Sequence, residues 1–241
     1  MSSFELPSES VSAIAPEPDR RSSAATAADL AADLGAPADV VNDVDRRQGA
    51  SHEPSFAWTP CEVRDALALG NAGYASGVAR PARISSEARL RLATDGQHPK
   101  AVVVTCSDSR VPAASCFSAG LGELFVVRAI GAHVGPAELA SVEYGVSHLG
   151  CPLVVVLGHT HCGMVAAAIE GTADGLIGEV VAPLHEELAG ETDPRAAELV
   201  AVRRSVRAIV ADRVVAPLVA AGKVEVCGAV YDIVSGEVHW L

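Results

Sequence analysis

The chain has 241 residues, of which 49% are hydrophobic and 4% aromatic, and its formal net charge is −12. That is enough apolar material for one substantial core, yet no stretch reaches the roughly 18 uncharged apolar residues that a membrane span requires. The acidic balance excludes a nucleic-acid groove, which depends on Lys and Arg neutralising phosphates, so a small-molecule substrate is expected and neither nucleic acid nor membrane is.

Residues 1–55 are rich in Ser, Ala, Pro and Asp, with ten acidic side chains against four Arg. Such a segment buries too little apolar surface to offset the entropy of ordering it, so it reads as a disordered extension, with an Ala-rich helix over Ala24–Leu34 at most. Its start lacks the basic-then-apolar order of a secretory signal, so a cytoplasmic location and reduced thiols are expected. One domain, 56–241, follows.

Thr59-Pro60 marks a helix start, with Thr59 as N-cap and Pro60 in the first turn, and Val63, Ala66, Leu67 and Gly70 form its inner face. A second helix is predicted over Ser85–Ala93. Asp95-Gly96-Gln97-His98-Pro99 then turns the chain into a strand over Ala101–Thr105. Leu124–Val127 reads as a strand, Pro136–Leu149 as a helix, Leu153–Leu157 as a strand and Met164–Ile169 as a helix. A long helix is predicted from Pro194 to Ala221, kinked or ended by Pro217 and capped by Gly222. Val224–Val230 and Glu237–Trp240 flank Ser235-Gly236 as a hairpin. Strands alternating with helices imply an α/β fold: a mainly parallel central sheet of about four strands, flanked by helices, with an antiparallel edge strand at the C-terminus.

Two segments sit where the apolar runs end. Cys106-Ser107-Asp108-Ser109-Arg110 follows the first strand, and His159-Thr160-His161-Cys162-Gly163 follows the third. Carboxyl ends of parallel strands are where α/β proteins build sites. Two thiols and an imidazole there suit one Zn²⁺ held by Cys106, His159 and Cys162, with the fourth tetrahedral position left for water. His161 is a poorer ligand because it adjoins Cys162. Two thiolates should leave the bound water less acidic than three imidazoles do, so a helper is needed. Asp108 is placed to accept a hydrogen bond from the nucleophile, and Arg110 to grip that carboxylate in bidentate fashion. An ordinary loop ion pair is the alternative for these two. Cys61, Cys116, Cys151 and Cys227 read as small buried hydrophobes.

Cys106-Ser-Asp-Ser-Arg110-Val-Pro112, Gly122-Glu-Leu-Phe-Val-Val-Arg128 and Gly158-His-Thr-His-Cys-Gly163 together resemble the β-class carbonic anhydrases. The similarity runs from about Gly70 to Gly171 and reaches the tail through Tyr231-Asp232-Ile233. It implies a zinc lyase that hydrates carbon dioxide reversibly to bicarbonate and a proton, active as a homodimer or a dimer of dimers joined through the N-terminal helices. It further implies zinc ligation by Cys106, His159 and Cys162, and catalysis by the Asp108–Arg110 dyad. Gln97 matches a glutamine that donates to a substrate oxygen; otherwise it is a plain turn residue. Phe125 and Tyr144 match pocket-lining aromatics, part of that pocket coming from the partner chain, or they are core. His148 matches a proton shuttle in plant-type members, against an exposed helix His, and His133 is a second candidate. Val103 stands where members with an Asp-ligated resting site carry Trp, which implies the open type. The chain departs from the family pattern at Gly73, where an Arg is usual, and at Ala129 in place of Asn. Relatives that hydrolyse carbonyl sulfide or carbon disulfide offer a second substrate class, and a non-catalytic zinc-binding or redox-sensing protein is a third reading.

Overall fold

The computed structural model describes residues 56–78 and 85–241. The acidic extension, with its Ala24–Leu34 segment, lies outside the described residues.

Five strands form one sheet: β1 Ala101–Cys106, β2 Leu124–Ala129, β3 Leu153–His159, β4 Glu225–Tyr231 and β5 Val238–Trp240, in the order β2-β1-β3-β4-β5. Successive neighbours from β2 to β4 are parallel, and β5 runs antiparallel to β4. The expected α/β architecture and its antiparallel edge are both present. β1 and β3 are buried along their whole length, as apolar β-branched runs should be when helices cover both faces of a sheet.

Side-chain alternation sorts the core. Ala101 and Val103 of β1 and Leu153, Val155 and Leu157 of β3 face α1 (Pro60–Ala75) and the 3₁₀ turn at Ser115–Phe117. Val102, Val104, Val154 and Val156 face α3 (Pro136–Ser147), α6 (Pro194–Val210) and α7 (Val215–Ala220). A third apolar cluster, contributed by α4 (Gly163–Glu170), α5 (Gly175–Leu188) and α6, contains Cys106 and Cys162. Among the described residues the remaining helix is α2 (Ser86–Asp95), with Ser85 as its N-cap.

The start of α1 is as predicted: the Thr59 hydroxyl accepts the Glu62 N–H and the Glu62 carboxylate accepts the Thr59 N–H, a reciprocal cap. Its buried face is Val63, Leu67 and Asn71, whereas Ala66 is exposed. Gly70 is needed for a close approach, because a Cβ there would lie 2.0 Å from the carbonyl oxygen of Phe117.

Three expectations are corrected. α5 has no counterpart in the sequence reading: Gly175, Gly178 and Pro183 argue against a helix, yet burial of Val181, Leu184 and Leu188 overrides weak local propensity. The long C-terminal helix is two helices, and the break precedes Pro217. Asp212 Oδ1 accepts the N–H groups of Val214 and Val215 at 2.8 and 3.1 Å and starts α7, leaving Pro217 in a first turn where its missing N–H costs little. Cys61 is exposed rather than buried; Cys116 and Cys151 are buried, and Cys227 is half-buried.

Candidate metal centre

β1 and β3 pair side by side with Thr105 opposite Leu157, so the chain leaves both strands at the same edge of the sheet. The buried Thr105 hydroxyl donates to the Leu157 carbonyl at 2.8 Å and ties the two strand ends together. Cys106 ends β1 and His159 ends β3. Cys162 follows one short loop later, at the N-cap position of α4. Their donor atoms all lie within 4.8 Å of one another, and all three side chains are buried.

The imidazole is fixed by its own loop. His159 Nδ1 donates to the Thr160 carbonyl at 2.9 Å, which assigns the proton to that nitrogen and turns the Nε2 lone pair toward the thiols. Nε2 is buried and finds no hydrogen-bond partner among the described residues. An orphaned buried nitrogen is costly in a folded protein, and a cation held with two sulfurs removes that cost. The donor set therefore fits a zinc ion. Burial alone would lower the His159 pKa, but the neighbouring Cys106 sulfur and the Thr160 carbonyl outweigh it and raise it.

The buried cysteines outside the cluster and those within it differ chemically. Burial pushes Cys116, Cys151 and Cys227 up to about 12, so they stay inert thiols. Cys106 moves the other way, well below the usual thiol range. The Cys162 thiol beside it lowers it most and outweighs burial; His159 and the N–H groups of Asp108 and Gly131, at 3.4 and 3.3 Å from Sγ, add to the effect. Cys162 is raised, by the Cys106 sulfur beside it and by burial. Gly131 can bring its N–H this close because its φ is +61°, and a Cβ there would sit 1.9 Å from Met164 Cε.

Beside the cluster, Arg110 grips Asp108 in parallel fashion, Nε to Oδ1 at 3.0 Å and Nη2 to Oδ2 at 2.7 Å, while its own N–H adds a bond to Oδ1 at 2.9 Å. The guanidinium holds the Asp108 carboxyl well below the usual carboxylate range. Asp108 Oδ2 is 3.9 Å from His159 Nε2, so the carboxylate borders the place where the donors converge. Arg128, quoted in the sequence motif without a role, donates to the carbonyls of Asp108 and Val111 at 2.7 and 3.0 Å and braces the same loop.

The other anticipated residues gather elsewhere. Gln97 is exposed in the turn before β1, at the opposite end of that strand from Cys106. Phe125 pairs with Val102 near the start of the sheet; its ring lies 6.0 Å from that of Tyr144, on which His148 stacks at 5.1 Å. Within one chain these four do not meet the Cys–His–Cys cluster. His133 is half-buried, and burial lowers its pKa.

Sequence reasoning missed Glu198. Its residue is 4% exposed, and Oε1 accepts the His161 N–H at 2.7 Å. The signal was available, because helical spacing from Glu198 to Val202, Ser205 and Ile209 puts a carboxylate on the buried face of α6.

Comparison with known proteins agrees with this geometry. The family model described as carbonic anhydrase matches residues 101–238. The chain is 43% identical over 118 residues to carbonic anhydrase 2 of Mycobacterium tuberculosis, a match covering 49% of this chain and 56% of that protein. It thus spans little more than half the length of that relative. With the carbonic anhydrase of Pseudomonas aeruginosa it shares 38% identity over 181 residues, covering 68% of this chain and 81% of the other. Among solved structures it resembles one of two tetrameric β-carbonic anhydrases from Sordaria macrospora, with a TM-score of 0.58 and 26% identity over 75% of this chain and 97% of that one. Sheet order, strand-end ligands and these matches agree: the chain belongs to the β-carbonic anhydrase family.

Proposed function

We propose that this chain is a zinc-dependent carbonic anhydrase that converts carbon dioxide and water reversibly into bicarbonate and a proton. The observation that carries the proposal is the buried Cys106–His159–Cys162 cluster with an ionised, doubly held Asp108 at its border.

Cys106, His159 and Cys162 would hold one zinc ion, which supplies Lewis-acid activation of water at neutral pH. The chain's own groups do the rest. Asp108 offers an acceptor oxygen toward the donors and orients the attacking water through its proton. Arg110 keeps that carboxylate ionised and in one rotamer, so that Asp108 orients the nucleophile without competing for its proton. The proton held between Cys106 and Cys162 is given up when the ion is taken up.

Gln97, Phe125 and Tyr144 belong to the substrate pocket of a neighbouring subunit in this reading, which is why one chain keeps them away from its own donors. His148, exposed beside Tyr144, is placed to pass protons to solvent across that seam. The active unit is a homodimer or a dimer of dimers, as the tetrameric Sordaria relative also suggests. The catalytic machinery is confined to 56–241. No described helix is long and apolar enough to cross a membrane, and we place the protein in the cytoplasm.

The test is zinc content per chain and carbon dioxide hydration measured on one sample, beside sulfide release from carbonyl sulfide. Zinc near one per chain with fast hydration is the expected result. A zinc-loaded, folded chain that hydrates nothing, or that prefers carbonyl sulfide, overturns it.

A further inference from the structure

Between the ligands His159 and Cys162, the chain passes through His161 in a left-handed conformation, with φ at +59°. Residues with a Cβ avoid this region, so a turn that uses it needs outside support. The support comes from α6. The buried Glu198 carboxyl accepts the His161 N–H at 2.7 Å; burial raises its pKa, and the His161 and Cys162 N–H groups oppose that rise. Successive N–H groups around a left-handed residue form a concave anion seat, and here a side chain of the same protein fills it. Glu198 Oε2 is buried and has no hydrogen-bond partner among the described residues. A cavity of about 10 Å³, lined by Gly131, Gly158, His159, Cys162 and Glu198 among others, lies between the carboxylate and the ligands.

Burying a carboxylate is expensive, and nothing in helix packing asks for one at this position. We propose that Glu198 is a positioning residue for the metal centre: its carboxylate seats the His161–Cys162 turn and thereby presets Cys162 and His159 for the ion. The idea rests on the zinc reading above. It adds that the ligand set is organised from α6, a helix that supplies no ligand itself.

Zinc affinity of the full-length chain, measured by competition with a chromophoric chelator, tests this, together with the visible spectrum of the cobalt-substituted protein. Glu198→Ala is expected to weaken zinc binding by about 10–100-fold and to alter the cobalt bands. Glu198→Gln keeps one acceptor oxygen and should recover part of the loss. Adding His161→Gly to Glu198→Ala should also recover several-fold, because glycine adopts the turn without help. Should Glu198→Ala fail to fold, Glu198→Met, which keeps volume but accepts no hydrogen bond, carries the same expectation. Zinc affinity within about twofold of the parent in a folded Glu198→Ala or Glu198→Met chain overturns the proposal, as does a double variant that gains nothing from His161→Gly. A parent chain that binds no zinc overturns the underlying metal reading, a result distinct from either of these.

Discussion

Arg110 holds Asp108 by two parallel hydrogen bonds and, through the same Nη2, donates to the carbonyl of His161 at 3.1 Å, so one guanidinium joins the loops that follow β1 and β3. The pair is thus more than a surface ion pair: it fixes a carboxylate relative to donors that come from the other loop. Asp108→Asn is expected to lower kcat/KM by about 100-fold while zinc content stays at the parent level, since Asp108 contributes no ligand. Lysine cannot reproduce the planar fork, so Arg110→Lys should fall between parent and Asp108→Asn. Stopped-flow hydration with zinc analysis on the same samples checks both; an Asp108→Asn chain of parental activity removes the dyad.

The pKa of Asp108 is lowered in the folded chain below its unfolded value of about 3.9, chiefly by Arg110. A carboxylate shifted in this direction adds stability that is complete above the unfolded pKa and disappears as pH falls through the folded one. Removing the guanidinium in Arg110→Ala therefore lowers stability at neutral pH and moves the acid-unfolding midpoint to higher pH, and the difference from the parent vanishes as pH falls through the folded pKa. Circular dichroism over an acid titration, with both chains at equal zinc content, reads the shift. A midpoint that stays put or falls contradicts the assigned role.

Cys106→Ser, Cys162→Ser and His159→Ala should each take zinc from one per chain to well below one, and each should abolish hydration. Chelator dialysis of the parent should do the same reversibly. Because the proton retained by the Cys106–Cys162 pair must leave on binding, zinc uptake should release it, and affinity should fall on acidification. Calorimetry in buffers of different ionisation enthalpy counts the protons released. Zinc retained at one per chain in any of the three variants would remove that residue from the ligand set.

Asn71 is buried in α1, where Nδ2 donates to the carbonyls of Cys116 and Gly236 at 2.9 Å each and Oδ1 accepts the Val238 N–H at 2.8 Å. One side chain ties the first helix to the C-terminal hairpin. Asn71→Ala leaves buried backbone groups unpaired and should cost about 2–3 kcal/mol, or roughly 5–10 °C in Tm for a domain of this size. Thermal unfolding of the zinc-loaded protein measures this, and a change under about 2 °C would mean that water or a shifted backbone replaces all three bonds.

Most of the fold was legible because its signals are local. β-branched runs gave β1 and β3, the Thr59-Pro60 cap gave α1, and the residues at strand ends pointed to the Cys–His–Cys grouping and the Asp108–Arg110 ion pair. What was missed depends on contacts that cross the sequence. α5 carries two glycines and a proline and becomes helical only where Leu184 and Leu188 can pack on α4 and α6. The break at Asp212 is a side-chain cap that competes with helix continuation, and a proline five residues on hid it from a reading by propensity. Glu198 is a lone acid in an amphipathic segment, and its partner N–H lies 37 residues away. The grouping of Gln97, Phe125, Tyr144 and His148 at the far end of the sheet follows from strand direction, which a resemblance between motifs does not convey.

The side-by-side pairing of β1 and β3 also bears on when the centre can exist. Its first donor is made about fifty residues before the second, and the two meet only once a parallel crossover has closed, one of the slower events for a growing polypeptide. A nascent chain halted before Leu153 carries one of the three donors, Cys106, and no pocket. Metal capture is therefore tied to completion of this domain, and an ion offered early has nowhere to lodge.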